Sequence, residues 1–120
     1  MAKISTDALK ARLQKALDLA GNTHTIDDIA AAVRAGTMQA FHNDGALVIT
    51  EIVEYPRAKA INIFVACGDL NDVMSLQPTI DDFAKQHGCT SMHMRGRKGW
   101  RKALPAFGWS ESMVSFERTI

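Results

Sequence analysis

Apolar positions first recur with a helical period. Leu9, Leu13, Ala16, Leu17 and Ala20 fall on one face of a helix over about 5–20, which Ser5 or Thr6 can cap and Gly21 ends. In "THTIDDIAAAVRAGT", Thr25 and Asp28 are spaced as a capping box, with Asp in place of the usual Glu. Ile26, Ile29, Ala30 and Val33 then make a buried stripe that Gly36 stops. Beyond residue 37 the period changes. Val, Ile, Phe and Tyr broken by turn residues predict strands near 38–42, 46–54 and 59–67. Asn43-Asp44-Gly45 and Tyr55-Pro56-Arg57-Ala58 are the turns between them, so 46–54 and 59–67 should pair as an antiparallel hairpin.

Helical spacing returns from Leu70 to His87, where Pro78 demands either a kink or two abutting helices, and Gly88 closes the element. "CTSMHMRG" predicts a strand over 89–95 with Met92 and Met94 on one face and His93 on the other. A helix over about 98–107, stopped by Gly108, and a closing strand within "WSESMVSFERTI" complete the pattern. The order α-α-β-β-β-α-β-α-β predicts an α/β (α+β) layer fold. Its 59–95 portion reads as a right-handed β-α-β unit with parallel strands, in an otherwise antiparallel sheet.

At 120 residues the chain is sized for a single domain, 1–120, and nothing in it resembles a linker. No apolar run approaches the length of a membrane span, and the first twenty residues lack the continuous apolar core of a signal peptide. Cys67 and Cys89 follow no metal spacing, which points to reduced thiols in a cytoplasmic protein. A net charge of +1 excludes a globally basic nucleic-acid binder and leaves only a local patch. That patch is "RGRKGWRK", residues 95–102, in which five of eight residues are basic.

The element order, together with "GRKGW" and the following Leu104-Pro105-Ala106-Phe107-Gly108-Trp109, resembles the GNAT family of N-acetyltransferases over residues 24–120. The latter segment is similar to the family's Tyr-x-x-x-Gly-Phe-type signature, and the whole looks like the small GNAT-like proteins of bacteriophages and prophages. The resemblance implies acetyl-CoA as cofactor, held by the loop before the crossover helix. Here that loop is Cys67, Gly68, Asp69, Leu70, Asn71 and Asp72, with one glycine, no basic residue and two aspartates. Like charges at a diphosphate oppose binding, by about 1 kcal/mol per close pair even in water, although aspartates at such a position also serve as helix caps. Leu104 stands where the family's proton-donating tyrosine would align, and Tyr55, the chain's one tyrosine, falls in a hairpin turn.

Read by chemistry, the candidate general bases are Glu51, a carboxylate within an apolar strand, and His93. A residue so placed more often marks the solvent face of a half-covered sheet. His42 and His93 could approach each other across the sheet, but no further metal ligands accompany them. Arg95, Arg97, Lys98, Arg101 and Lys102, with Trp100 to stack on a base, would suit a phosphate-bearing partner. The competing reading is a solvated helix face anchored by Trp100 and Leu104. Met74, Met92, Met94 and Met113 read as core filling, and Cys67 as structural. Three functions follow: an acyl-CoA-dependent N-acyltransferase or a binding-only relative of it; a non-catalytic virion or host-interaction protein that binds a protein partner; and a small nucleic-acid-binding module. None of them involves a membrane.

Overall fold

The computed structural model describes residues 6–96 and 98–120. Ser5, the Leu9 side chain and Arg97 lie outside the described residues. Helix α1 spans Thr6–Leu19 and buries Leu13, Ala16 and Leu17 of the predicted stripe, while Ala20 lies just past the helix and is half-buried. Helix α2 spans Ile26–Ala35 and opens on the capping box read from the sequence. The Asp28 backbone N–H donates to Thr25 Oγ1 at 3.2 Å, and the Thr25 N–H donates to Asp28 Oδ2 at 2.9 Å. These two bonds satisfy donors that a bare helix start would leave without partners. Gly36 ends α2 at φ 81°, in the left-handed region.

Four strands follow in spatial order β1-β2-β3-β4: β1 Gln39–His42, β2 Ala46–Glu54, β3 Lys59–Gly68 and β4 Ser91–Met94. β1–β2 and β2–β3 are antiparallel, and β3–β4 is parallel, as the β-α-β pattern predicted. One irregularity organises the sheet. Ile49 pairs with Val65 but Thr50 pairs with Ile63, so Phe64 is an extra residue in β3. Such a bulge reverses the faces of the strand beyond it. Ile61 and Ile63 therefore join one core cluster, with Val48, Val73 and Ile80, while Val65 and Cys67 join another on the opposite face, with Leu13, Leu17 and Ile29.

The first cluster is roofed by the crossover, which Pro78 divides into α3 (Leu70–Ser75) and α4 (Gln77–Gln86). Proline sits in the first turn of α4, where its missing N–H costs no helix bond. The β1–β2 turn is locked onto this crossover. Asn43 Nδ2 donates to the Asp72 carbonyl and to Ser75 Oγ, both at 2.8 Å, while its Oδ1 accepts from the Gly45 N–H. A Cβ added at Gly45 would overlap the Asp72 carboxylate, and one added at Gly68 would overlap the Gly45 carbonyl.

Two expected elements are absent among the described residues. The stretch 98–107 is not one helix but two short 3₁₀ turns, Lys98–Arg101 and Leu104–Phe107. Pro105 has no N–H to donate and its ring collides with the carbonyl four residues back, and Gly99 weakens the turn before it. Residues 109–120 form no strand, and Met113, at 90% exposure, is not core filling. No helix among the described residues is long and apolar enough to cross a membrane.

Two stability predictions follow from these contacts. Gly36→Ala meets nothing within 4 Å and should cost about 1–2 kcal/mol for its left-handed backbone. Gly68→Ala, at φ 115° and against backbone, should cost about 2–5 kcal/mol; equal urea midpoints for the two variants would refute the lock. At the α2 cap, Thr25→Ala should cost about 1 kcal/mol. Bonds from the Thr25 backbone N–H and then its hydroxyl hold the Asp28 carboxyl below the usual carboxylate range. Its stabilisation is thus full above the ordinary carboxylate pKa and is lost as the pH falls through the lowered one. Asp28→Asn should accordingly be less stable than the parent chain at neutral pH and indistinguishable from it in strong acid, in paired urea titrations.

Candidate functional site

The register brings the two candidate bases into one line. Glu51 on β2 pairs with Asn62 on β3, and Asn62 pairs with His93 on β4. Partners in register project from the same face, here the face opposite Ile52, Ile61 and Met92. Asn62 Nδ2 donates to Glu51 Oε1 at 3.0 Å, which fixes the carboxylate. Ser91 Oγ and His93 Nε2 share a hydrogen bond of 3.0 Å at the other end of the row. Two strand spacings put Glu51 and His93 about 9–10 Å apart. Glu51 and Asn62 are half-buried, and His93 is exposed.

The bulge explains why this row stays open. α1 and α2 cover the part of that face beyond Phe64, where Leu47, Ile49, Val65 and Cys67 pack. Before the bulge the same face carries the polar row. His24, in the loop leading into α2, stands edge-on to Phe64 with ring centroids 4.7 Å apart. Its Nδ1 shares a 2.7 Å hydrogen bond with Thr23 Oγ1. An imidazole is thus added at the border of the row. Neither Asn62 nor His24 was among the residues singled out from the sequence. The alternation in "AINIF" was the available signal for Asn62, since it places a lone amide opposite the apolar face.

The predicted coenzyme loop lies where β3 outruns β4. The last ladder pair is Ile63 with Met94, so β3 continues from Phe64 to Gly68 without a neighbour on that side. Cys67 is buried and forms no disulfide, and Leu70 packs on the first core cluster. Asp69 is the first flanking residue of α3, but its side chain makes no cap bond. The first intrahelical bond runs from the Val73 N–H to the Asp69 carbonyl. The N–H groups of Leu70, Asn71 and Asp72 therefore precede that ladder. The two aspartates behave differently, because the Asp72 carboxylate lies against Gly45 while Asp69 is exposed.

The basic segment rims a groove of about 440 Å³ along the free edge of β4, floored by Met92, Met94, Leu104 and Trp109. Arg95 and Lys98 line it and are exposed, and Lys102, outside the lining, is exposed as well. Arg101 pairs with Glu111 at 2.9 Å on the surface, a contact worth about 1 kcal/mol or less. Trp100 and Leu104 are half-buried near Gly96. Leu104 also packs on the first cluster. His42 and His93 do not meet, because β1 and β4 are opposite edges of the sheet. Among the described residues no three His, Cys, Asp or Glu side chains group to hold a metal ion.

The segment after β4 is tied down by a residue the sequence did not flag. Trp109 Nε1 donates to Gln77 Oε1 at 2.9 Å, and Gln77 Nε2 donates to the Phe107 carbonyl at 3.2 Å. The indole also closes an apolar hole of about 10 Å³ beside Val48, Ile63 and Ile80. Gln77→Ala should destabilise the chain by about 1–3 kcal/mol. It should also red-shift the Trp109 emission when read in a Trp100→Phe background; an unshifted spectrum would refute the tie.

No protein-family model and no curated protein sequence matches the chain. Solved structures do. An acetyltransferase from Trypanosoma brucei superposes with a TM-score of 0.63 at 12% identity, covering 92% of this chain and 94% of that one. An aminoglycoside acetyltransferase from an uncultured soil metagenome, crystallised with sisomicin, gives 0.64 at 13%, covering 98% and 93%. A GNAT family acetyltransferase from Staphylococcus aureus gives 0.58 at 11%, covering 98% and 96%. At such identities the likeness establishes the fold. The chain has a GNAT-like fold, a mixed, mostly antiparallel sheet with flanking helices.

Proposed function

We propose that the chain binds acyl-CoA and transfers the acyl group to an amine, with Glu51 and His93 as the residues that receive the amine's proton. The observation that carries this reading is the Glu51–Asn62–His93 row, set on a sheet in which β3 outruns its parallel neighbour β4. A bound acyl-CoA supplies an activated thioester carbonyl. The chain's own features fit such a ligand in two ways. β3 offers five residues of free edge beyond Ile63, and no side chain caps the first turn of α3. Cys67, Gly68, Asp69, Leu70 and Asn71 would line the coenzyme, and Gly68 would permit close backbone approach. Arg95, Lys98, Trp100, Arg101 and Lys102, with Arg97, are the basic and aromatic groups from which a phosphate contact would come.

Asn62 holds the Glu51 carboxylate still, so that Glu51 takes the proton of an incoming ammonium directly or through one water. His93, braced by Ser91, offers a second acceptor at the strand edge. As the carbon–nitrogen bond forms and the carbon–sulfur bond breaks, the departing thiolate takes its proton from solvent, since Leu104 has none to give. Acyl transfer that lacks a dedicated acid should therefore be slow.

A second, binding-only reading draws on the acidic Asp69 at the start of α3 and on Leu104. The chain would then be a non-catalytic relative of phage or prophage type that docks a protein partner in the host cytoplasm or on the virion. Acetyl-CoA titrated to about 100 times its dissociation constant should stabilise the protein by about 2.7 kcal/mol, a melting shift of about 10 °C or more. Asp69→Asn should tighten binding. Glu51→Gln should keep that shift and reduce turnover about 10²-fold or more with an amine acceptor. No shift at millimolar ligand would refute the acyl-CoA reading and leave the binding-only one. A shift abolished by added salt and reproduced by oligonucleotide would instead indicate nucleic acid.

A further inference from the structure

The polar row ends in a pair of side chains that amine transfer uses only as a brace. Ser91 and His93 stand two positions apart on β4, both exposed and both on the face of Asn62. Ser91 Oγ lies 3.0 Å from His93 Nε2. A hydroxyl within hydrogen-bond reach of an imidazole becomes a nucleophile when the ring presents a bare nitrogen to it and a third group orients the ring. Asn62 is placed to be that third group. Its Nδ2 donates to Glu51 on β2, which turns the amide oxygen away from β2, to the side on which β4 lies. An acceptor on that side favours a proton on His93 Nδ1 and leaves Nε2 to receive the Ser91 O–H.

The surroundings suit an acyl donor. α1 and α2 pack on this face only beyond Phe64, so Ser91 is open to solvent. β4 is also an edge strand, with no strand on its outer side among the described residues. Every second N–H along such a strand points to the open side, so Ser91 or its neighbour Met92 holds an outward donor. A carbonyl attacked by Ser91 would develop its negative charge beside that donor. A second hydroxyl–imidazole contact, Thr23 Oγ1 with His24 Nδ1 at 2.7 Å, lacks these features. It joins chain neighbours in a loop and offers a secondary alcohol with no strand edge beside it.

We infer that Ser91 is an acyl-accepting nucleophile with His93 as its base, and that the chain hydrolyses small activated acyl esters and thioesters through an acyl-serine. Ser91 Oγ bonds to the acyl carbon as its proton passes to His93 Nε2. The bond from that carbon to the leaving sulfur or oxygen breaks, and the leaving group takes the proton from His93. Water then adds to the acyl carbon and gives a proton to His93. The carbon–Oγ bond breaks, and Ser91 recovers its proton from the imidazolium. One ester and one water thus become one acid and one thiol or alcohol. In this sequence the imidazolium supplies the acid that Leu104 cannot. The activity goes beyond amine acylation and does not rest on coenzyme binding.

p-Nitrophenyl acetate, which needs no coenzyme site, is the probe. The chain should release nitrophenolate faster than free imidazole does at equal concentration. Ser91→Ala and His93→Gln should each lower that rate about 10²-fold, with unchanged melting temperature because both side chains are exposed. Thr23→Ala should keep the full rate. Chain quenched during turnover should carry an acetyl group on Ser91, located by peptide mass spectrometry. Three outcomes would overturn the inference. They are hydrolysis no faster than that by imidazole, a full rate in Ser91→Ala, and an acetyl group found on His93 or a lysine instead of Ser91. None of the three would alter the melting shift with acetyl-CoA, so the two readings fail separately.

Discussion

The bulge at Phe64 decides where everything else can sit. Without it, Ile61, Ile63, Val65 and Cys67 would share one face of β3, and the other face would have little to bury. With it, the strand presents apolar side chains first to the crossover helices and then to α1 and α2. Two cores on opposite faces are thereby built from one ten-residue strand. The first core runs along the whole of its face, on both sides of the bulge, whereas the second covers only the part of the opposite face beyond it. The remaining quarter, before the bulge and away from α3 and α4, is where Glu51, Asn62 and His93 stand. A polar row is tolerable there because the helices that would have desolvated it are placed further along the strand. The opening follows from packing first, and chemistry can then use it.

Much of this architecture was legible from local signals. The capping box at Thr25 and Asp28, the glycine stop at Gly36 and the break at Pro78 each act within a few residues, and each lies where the sequence put it. The bulge was not legible. "AINIFVAC" reads as an unbroken apolar run with no glycine to mark an inserted residue, and only the pairing with β2 reveals it. Sequence pattern also overreached at 98–107, where apolar spacing was helical but Pro105 and Gly99 opposed the backbone. In residues 109–120 the apolar alternation was imperfect and no neighbouring strand rewards it.

The candidate site divides in the same way. Glu51 and His93 were each identifiable as polar residues in apolar strands, yet their alignment depends on two registers at once. One is set by the Tyr55–Ala58 turn, closed by the bond from the Tyr55 N–H to the Ala58 carbonyl. The other is set by the crossover and the bond from the Thr90 N–H to the Lys59 carbonyl, which starts the parallel ladder. Asn62 becomes meaningful only once both registers are known, because its role is to lie between the two. Gln77 illustrates the same point at longer range: it joins residues 30 and 32 positions away, and no local pattern announces that.

The two aspartates of the proposed coenzyme loop show how packing sorts residues that a sequence treats alike. Both lie where a diphosphate would be opposed by charge. Asp72, however, is committed to the lock that fastens the β1–β2 turn to α3, its carboxylate against Gly45 and its carbonyl accepting from Asn43 and Ser75. Its charge is tied to the fold, and Gly45 is glycine because of it. Asp69 makes no cap bond and faces solvent, so no comparable structural need accounts for it. Whatever electrostatic veto this loop exerts on an anionic ligand is therefore concentrated in one exposed carboxylate. An exposed charge is screened by water and salt, and the obstacle to coenzyme binding is correspondingly smaller than two aspartates in a row suggest.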